Sequence, residues 1–209
     1  MINISKINVR SLEAGELKQI LPELYELNSV VENNPWHDHD SVFSHTLKVL
    51  KQLEKLLKHA DKKVSGYLSL KIDGNTRRQI LFLATAFHDI AKPETFEEKD
   101  GVTNCPYHEE VGVKKVGPIL DRFDLSEKEK INIKKIIKYH GQIHGILSLE
   151  KDQLEIQLNE FRKKCTDIFI EQILLAMADT AGSQLNELIP DEFSFRINYY
   201  QQILDEIYL

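Results

Sequence analysis

The run ILFLATAF, residues 80–87, is the longest apolar stretch in the chain, and it ends on two ionisable residues, His88 and Asp89. Just before it, Thr76-Arg77-Arg78-Gln79 reads as a capping box: the threonine hydroxyl covers a free backbone N–H and the glutamine reaches back to the cap. The spacing predicts a helix from there through Ile90. Apolar side chains lie all round it, so it must be enclosed on every side. A histidine and an aspartate delivered into a core need partners, because an unpaired buried polar group is costly. Lys92 follows within a turn, and Pro93 is expected to stop the helix.

The rest of the chain also reads as helices. In residues 40–60, Val42, Val49, Leu53 and Leu56 share one face, and His45 lies on it. Residues 61–75 read as a polar connection. A small hairpin is expected near residues 95–105, turning at Asp100-Gly101. Pro106 can open the next helix, with His108 near its start. Ser126 and Glu129 form a second capping box; that helix buries Ile133, Ile136 and Ile137 and ends at His140, with Gly141 as its stop. Helices are further expected at 152–164, at 166–181 with Asp179 in its last turn, and from Pro190 to Tyr208. The last offers apolar residues at helical spacing for packing on the domain or for a homodimer face. The expected fold is all-α with one small β excursion, in a single domain over residues 1–209.

The totals exclude some functions. A net charge of −6 argues against a chain whose main task is gripping a nucleic-acid backbone, though not against small anionic substrates. Nucleic acid is therefore not the favoured partner. Cys105 and Cys165 are the only cysteines, which suits reduced thiols in the cytoplasm. The N-terminus lacks a signal-like apolar core, and the apolar run at 80–87 falls far short of the roughly 20 residues needed to span a bilayer. No membrane partner is expected.

Four histidines (His45, His88, His108 and His140) fall near helix ends or on apolar faces, as do Asp89 and Asp179. Each alone has a plain explanation: a satisfied core histidine, or a carboxylate capping a helix. Together they come from five helices, and imidazole with carboxylate suits borderline divalent metals. One ion could take His45, His88, Asp89 and Asp179. A second could share Asp89 as a bridge and take His108 and His140. Lys92 is poorly placed as a ligand but well placed to hold a phosphate beside them. Two metals a few ångströms apart can activate water toward phosphorus, which makes phosphoester hydrolysis the natural chemistry.

In this order, His45, His88-Asp89, His108, His140 and Asp179 resemble the HD superfamily of metal-dependent phosphohydrolases. The stretches NNPWHDHDSVFSHTLKVL, LATAFHDIAKPETFEEKDGVTNCPYHEEVGV and IIKYHGQIH look closest to the HD domain behind the catalytic head of bacterial tRNA nucleotidyltransferases, the CCA-adding enzymes. The resemblance is strongest over residues 33–181, with helical flanks expected at 1–32 and 182–209. It implies an all-α fold and one or two divalent ions (Mn, Fe, Ni, Co, Mg or Zn). It also implies hydrolysis of a small phosphate ester, most naturally a nucleotide, by metal-activated hydroxide. On the matching positions, His45, His88, Asp89 and Asp179 are the main metal ligands, and His108 and His140 complete a second site. Lys92 faces phosphate and, with Asp89, carries the catalytic role. His37 matches a histidine before the first ligand helix and is placed on the substrate side, although a capping role fits equally.

Two departures bear on function. Ala91 stands where a glycine is common before Lys-Pro. No glycine-serine loop followed by paired aspartates occurs in the 209 residues, so nucleotide addition by this chain alone is not expected. The rival reading is a non-catalytic regulatory or tRNA-binding module derived from such an HD domain. The complete ligand set and the acidity both speak against it.

Overall fold

The computed structural model describes residues 1–207; Tyr208, where the last helix was expected to end, and Leu209 lie outside the described residues. After a 3-10 turn at Ile4–Lys6, the chain forms two short helices, α1 (Val9–Glu13) and α2 (Pro22–Glu26). A polar hairpin, β1 (Val31–Asn34) and β2 (His37–Ser41), leads directly into the long helix α3 (Val42–His59). α4 (Lys62–Ser69) and α5 (Arg77–Ala86) follow, then a four-residue turn of helix, α6 (Lys92–Thr95). A second hairpin joins β3 (Glu97–Lys99) to β4 (Val102–Asn104). The remaining helices are α7 (His108–Leu120), α8 (Glu127–Tyr139), α9 (Gln142–Ile146), α10 (Lys151–Lys164), α11 (Phe169–Gly182), α12 (Leu185–Leu188) and α13 (Pro190–Glu206).

The fold is all-α with two small antiparallel strand pairs. Local chemistry places several element starts. Ser41 caps α3, and both expected capping boxes are formed, Thr76 with Gln79 and Ser126 with Glu129. Asp100 and Gly101 both have positive φ, 53° and 78°, as a two-residue hairpin turn between paired Lys99 and Val102 requires.

Several expectations are corrected. The helix opened by Thr76 ends at Ala86, not Ile90; residues 87–91 continue as turns, and Phe87 closes the helix with a 3.1 Å bond to Ala84 O. Pro93 does not stop a helix but sits in the first turn of α6, where its missing N–H is harmless. The segment 61–75 is not all connection: Asp61 caps α4, which buries only Val64 and Leu68. Pro106 does not itself start α7, whose cap is Tyr107 in the left-handed region at φ 60°. Gly141 separates α8 from α9 rather than ending the helical path. The N-terminal flank is not purely helical, because it runs into β1.

The core centres on α11, buried at nearly every position from Phe169 to Ala178, against α3, α5 and α13. α3 meets it through Val42, His45, Thr46, Val49, Leu50, Leu53 and Leu57, one face at helical spacing. Leu56 lies at the edge of this face, only partly buried. Gly182 sets the closeness of α3 and α11, since a Cβ there would lie 2.8 Å from Val49 N and 2.9 Å from Val49 Cα. α13 buries Arg196, Tyr200, Ile203 and Leu204 against the domain.

α3 carries His45 and α11 carries Asp179, so their separation is a functional dimension. Gly182→Ala should lower unfolding free energy by about 1–3 kcal/mol in urea titrations, as overpacked sites do. Gly66→Ala, where an added Cβ meets nothing within 4 Å on α4, should instead raise it by about 0.5–1 kcal/mol.

Candidate metal centre

The turns that end α5 present His88 and Asp89 to the interior at 1% and 2% exposure. His45 arrives from the first turns of α3, His108 from the start of α7, His140 from the end of α8 and Asp179 from the last turn of α11. The structure brings all six together. His45, His88 and Asp179 offer one ligand atom each within 4.8 Å of one another, and so do Asp89, His108 and His140.

Asp89 lies between the two groups. Its Oδ2 is 3.2 Å from His88 Nε2 and 3.8 Å from His45 Nε2. Its Oδ1 is 3.3 Å from His108 Nε2 and 3.5 Å from His140 Nε2. Burial pushes its pKa up, but His88, Lys92 and the nearby His108 and His140 outweigh that and hold it well below the usual carboxylate range. At Asp179 burial is likewise outweighed by His144 and His45. At His108 burial is overcome by Asp89, which raises the imidazole pKa.

Three of the histidines are fixed by one local device. Each places Nδ1 on the carbonyl three residues earlier: His88 on Thr85 at 2.8 Å, His108 on Cys105 at 2.8 Å, His140 on Ile137 at 2.7 Å. A carbonyl only accepts, so Nδ1 carries the proton, and in a neutral ring Nε2 bears a lone pair directed inward. His108 Nε2 and His140 Nε2 lie 3.2 Å apart. Two such lone pairs face to face need a positive centre between or beside them. His88 Nε2 is buried with no hydrogen-bond partner among the described residues. These donors fit divalent metal ions of the kind that accept nitrogen and oxygen ligands. His45 differs: its Nδ1 is the orphan, and its Nε2 is 2.8 Å from Asp179 Oδ1.

His45, Asp89, His108, His140 and Asp179 line an open cavity of about 670 Å³, with His88 behind them. Lys92 is on its wall at 7% exposure, with Nζ 2.7 Å from Glu32 Oε2 and 3.0 Å from Asp89 Oδ2. Burial works against its charge, but Asp89 and Glu32 outweigh this and raise its pKa above the ordinary lysine value. His37 is neither a surface nor a helix-capping residue. It is buried in β2, stacks edge-on against His45 with ring centres 4.5 Å apart, and faces Glu32 at 3.8 Å.

Glu32 and His144 were not foreseen. Glu32 sits on a short polar strand 60 residues from Lys92, with no spacing signal to mark it. His144 Nε2 is 3.0 Å from Asp179 Oδ2. It follows His140 by only four residues, but it lacked an apolar setting in the sequence. Trp36 also lines the cavity, whereas Tyr107 is exposed at 75% and Tyr139 packs under Lys138 and Lys164.

The family model described as HD domain matches residues 42–181. The chain belongs to this family. It is also similar to the Multifunctional CCA protein of Mannheimia succiniciproducens, 27% identical over 174 residues, or 82% of this chain. The chain spans about 37% of that relative's length. β1, β2 and α13 of this HD domain fall outside the matched residues, yet Glu32, Trp36 and His37 come from or between the two strands.

His37 generates a pH prediction. Burial, then the neighbouring His45 and Lys92, lower its pKa from 6.5 to about 2. The unfolded chain therefore takes up this proton first as pH falls. Its contribution to stability should decline from about pH 6.5 downward, by up to about 1.4 kcal/mol per pH unit for one proton, partly offset by His108, whose raised pKa makes the folded chain take up the His108 proton first. Urea unfolding from pH 7.5 to 4.5 with chelator present should show this slope, reduced in His37→Asn. Further down, the depressed Asp89 and Asp179 add the next loss as they protonate in the unfolded chain first.

Proposed function

We propose that this HD domain hydrolyses a small phosphate ester, a nucleotide phosphomonoester or cyclic phosphodiester, using one or two divalent ions. The observation that supports it most is Asp89, whose two oxygens each face a separate group of donors on the wall of an open cavity beside a buried lysine. His45, His88 and Asp179 would hold one ion; Asp89, His108 and His140 would hold a second, with Asp89 shared between them. Bound divalent ions supply polarisation of phosphoryl oxygens and a lowered pKa for water.

The chain's own residues supply the rest. Backbone carbonyls fix the inward lone pairs of His88, His108 and His140 before any ligand arrives, so little reorganisation is required. Lys92 provides a permanent positive charge for the phosphoryl group, with Glu32 holding it in place until substrate oxygens share its donors. His37, uncharged and with Nδ1 unpartnered among the described residues, offers a hydrogen-bonding wall to the substrate. The free thiols of Cys105 and Cys165 fit a reducing, cytoplasmic setting.

The similarity to a CCA protein favours a second reading, a metal-binding regulatory or tRNA-binding module. The complete donor set and the net charge of −6 support hydrolysis instead. Metal content and turnover over a panel of nucleotides and cyclic phosphates separate the two. Asp89→Ala should lose metal and about 10³-fold or more in kcat/KM. Lys92→Met should keep metal and lose about 10²–10³-fold in kcat. Full activity in Asp89→Ala, or salt-sensitive tRNA binding with no hydrolysis, would reject this function.

A further inference from the structure

α13 lies beyond the residues matched by the HD domain model, yet it reaches the metal centre. Its Tyr200 is fully buried, and the hydroxyl is 2.9 Å from His144 Nδ1. The other nitrogen of that ring, Nε2, is 3.0 Å from Asp179 Oδ2, while Asp179 Oδ1 faces His45 and His88 at 2.8 Å and 3.8 Å. One direction of donation satisfies the whole chain. An ionised Asp179 can only accept, so His144 Nε2 carries the proton. A neutral ring then has its lone pair at Nδ1, and the Tyr200 O–H donates to it.

α13 grips His144 a second time. Arg196, one turn before Tyr200, donates from Nη1 to the His144 carbonyl at 3.0 Å and from Nη2 to Ser148 Oγ at 2.8 Å. Its guanidinium lies 4.9 Å from the ring centre of Trp36, which meets the His144 ring edge-on at 4.9 Å. Ring and backbone of His144 are thus both held from the same helix.

We propose that Tyr200 is a positioning residue for the metal centre, fixing the tautomer of His144 so that Asp179 keeps Oδ2 occupied and Oδ1 turned toward His45 and His88. Without the hydroxyl, His144 Nδ1 loses its partner, the ring is free to turn or exchange tautomers, and Asp179 loses the bond that fixes its rotation. This inference rests on the reading that the two donor groups hold metal, but not on the hydrolysis proposed for them.

The test is Mn²⁺ binding by calorimetry to the full chain, alongside urea unfolding in chelator. Tyr200→Phe should weaken the tightest Mn²⁺ affinity by about 10–100-fold, the usual effect of losing a residue that orients a ligand. His144→Ala should weaken it similarly, and the double variant should be no worse than His144→Ala alone, because both act along one chain. Tyr199→Phe, next in sequence but outside the chain of bonds, should leave the affinity unchanged. An unchanged Mn²⁺ affinity in Tyr200→Phe with lower metal-free stability would show a merely structural tyrosine and overturn the inference, as would multiplicative losses in the double variant. Absence of Mn²⁺ binding in the parent chain would overturn both this inference and the metal-dependent function. Intact Mn²⁺ linkage with no phosphoester turnover would reject the hydrolysis and leave the role of Tyr200 standing.

Discussion

The structure turns on a carboxylate that cannot be left alone. Asp89 is buried at 2% exposure, where an unpaired charge would be strongly unfavourable. Each of its oxygens is matched with basic groups from different parts of the chain: Lys92, His88 and His45 near one, His108 and His140 near the other. Gathering those groups around the carboxylate brings the starts of α3 and α7 and the ends of α5 and α8 to one place. The apolar packing of α11 and α3 holds these ends in register, with Gly182 permitting the approach.

The same site is rich in acid. Glu32, Asp89 and Asp179 line the cavity against one lysine. Three carboxylates with a single fixed cation, surrounded by inward imidazole lone pairs, form a setting that divalent cations complete and that apolar packing could not. The hairpin β1–β2 lines one side of the cavity through Glu32, Asn34 and His37. The hairpin is tied to the start of α12 through Gln184, whose backbone N–H donates to Trp36 O and whose side chain bonds the backbone of Asp38, and α13 reaches it through Arg196, 4.9 Å from the Trp36 ring centre.

How much of this was legible depended on how local the cause was. The capping boxes at Thr76 and Ser126, the Asp100-Gly101 turn and the buried face of α3 are written in a few adjacent residues, and the structure forms them. The six candidate ligands were legible because helix ends and apolar faces marked them. β1 and β2 were not, because VENN and HDHDS show no alternation of apolar and polar residues; the hairpin is held instead by contacts such as Asn33 N–H to Thr103 Oγ1 at 2.7 Å. α4 was missed because its buried face is only two residues, Val64 and Leu68. The pairing of Lys92 with Glu32, and of His144 with Asp179 and Tyr200, is tertiary, and no spacing rule reports it. The early end of α5 belongs to the same class: His88 turns back onto Thr85 O, and the chain leaves the helix to place Asp89.

The central claim is that Asp89 stands between two metal-holding groups. A crystal soaked in Mn²⁺ and measured for anomalous scattering tests it most directly. The account predicts density among His45, His88 and Asp179 and a second peak among Asp89, His108 and His140, both lost in Asp89→Ala. Absence of anomalous density at either group, with Mn²⁺ found elsewhere or not at all, would contradict it.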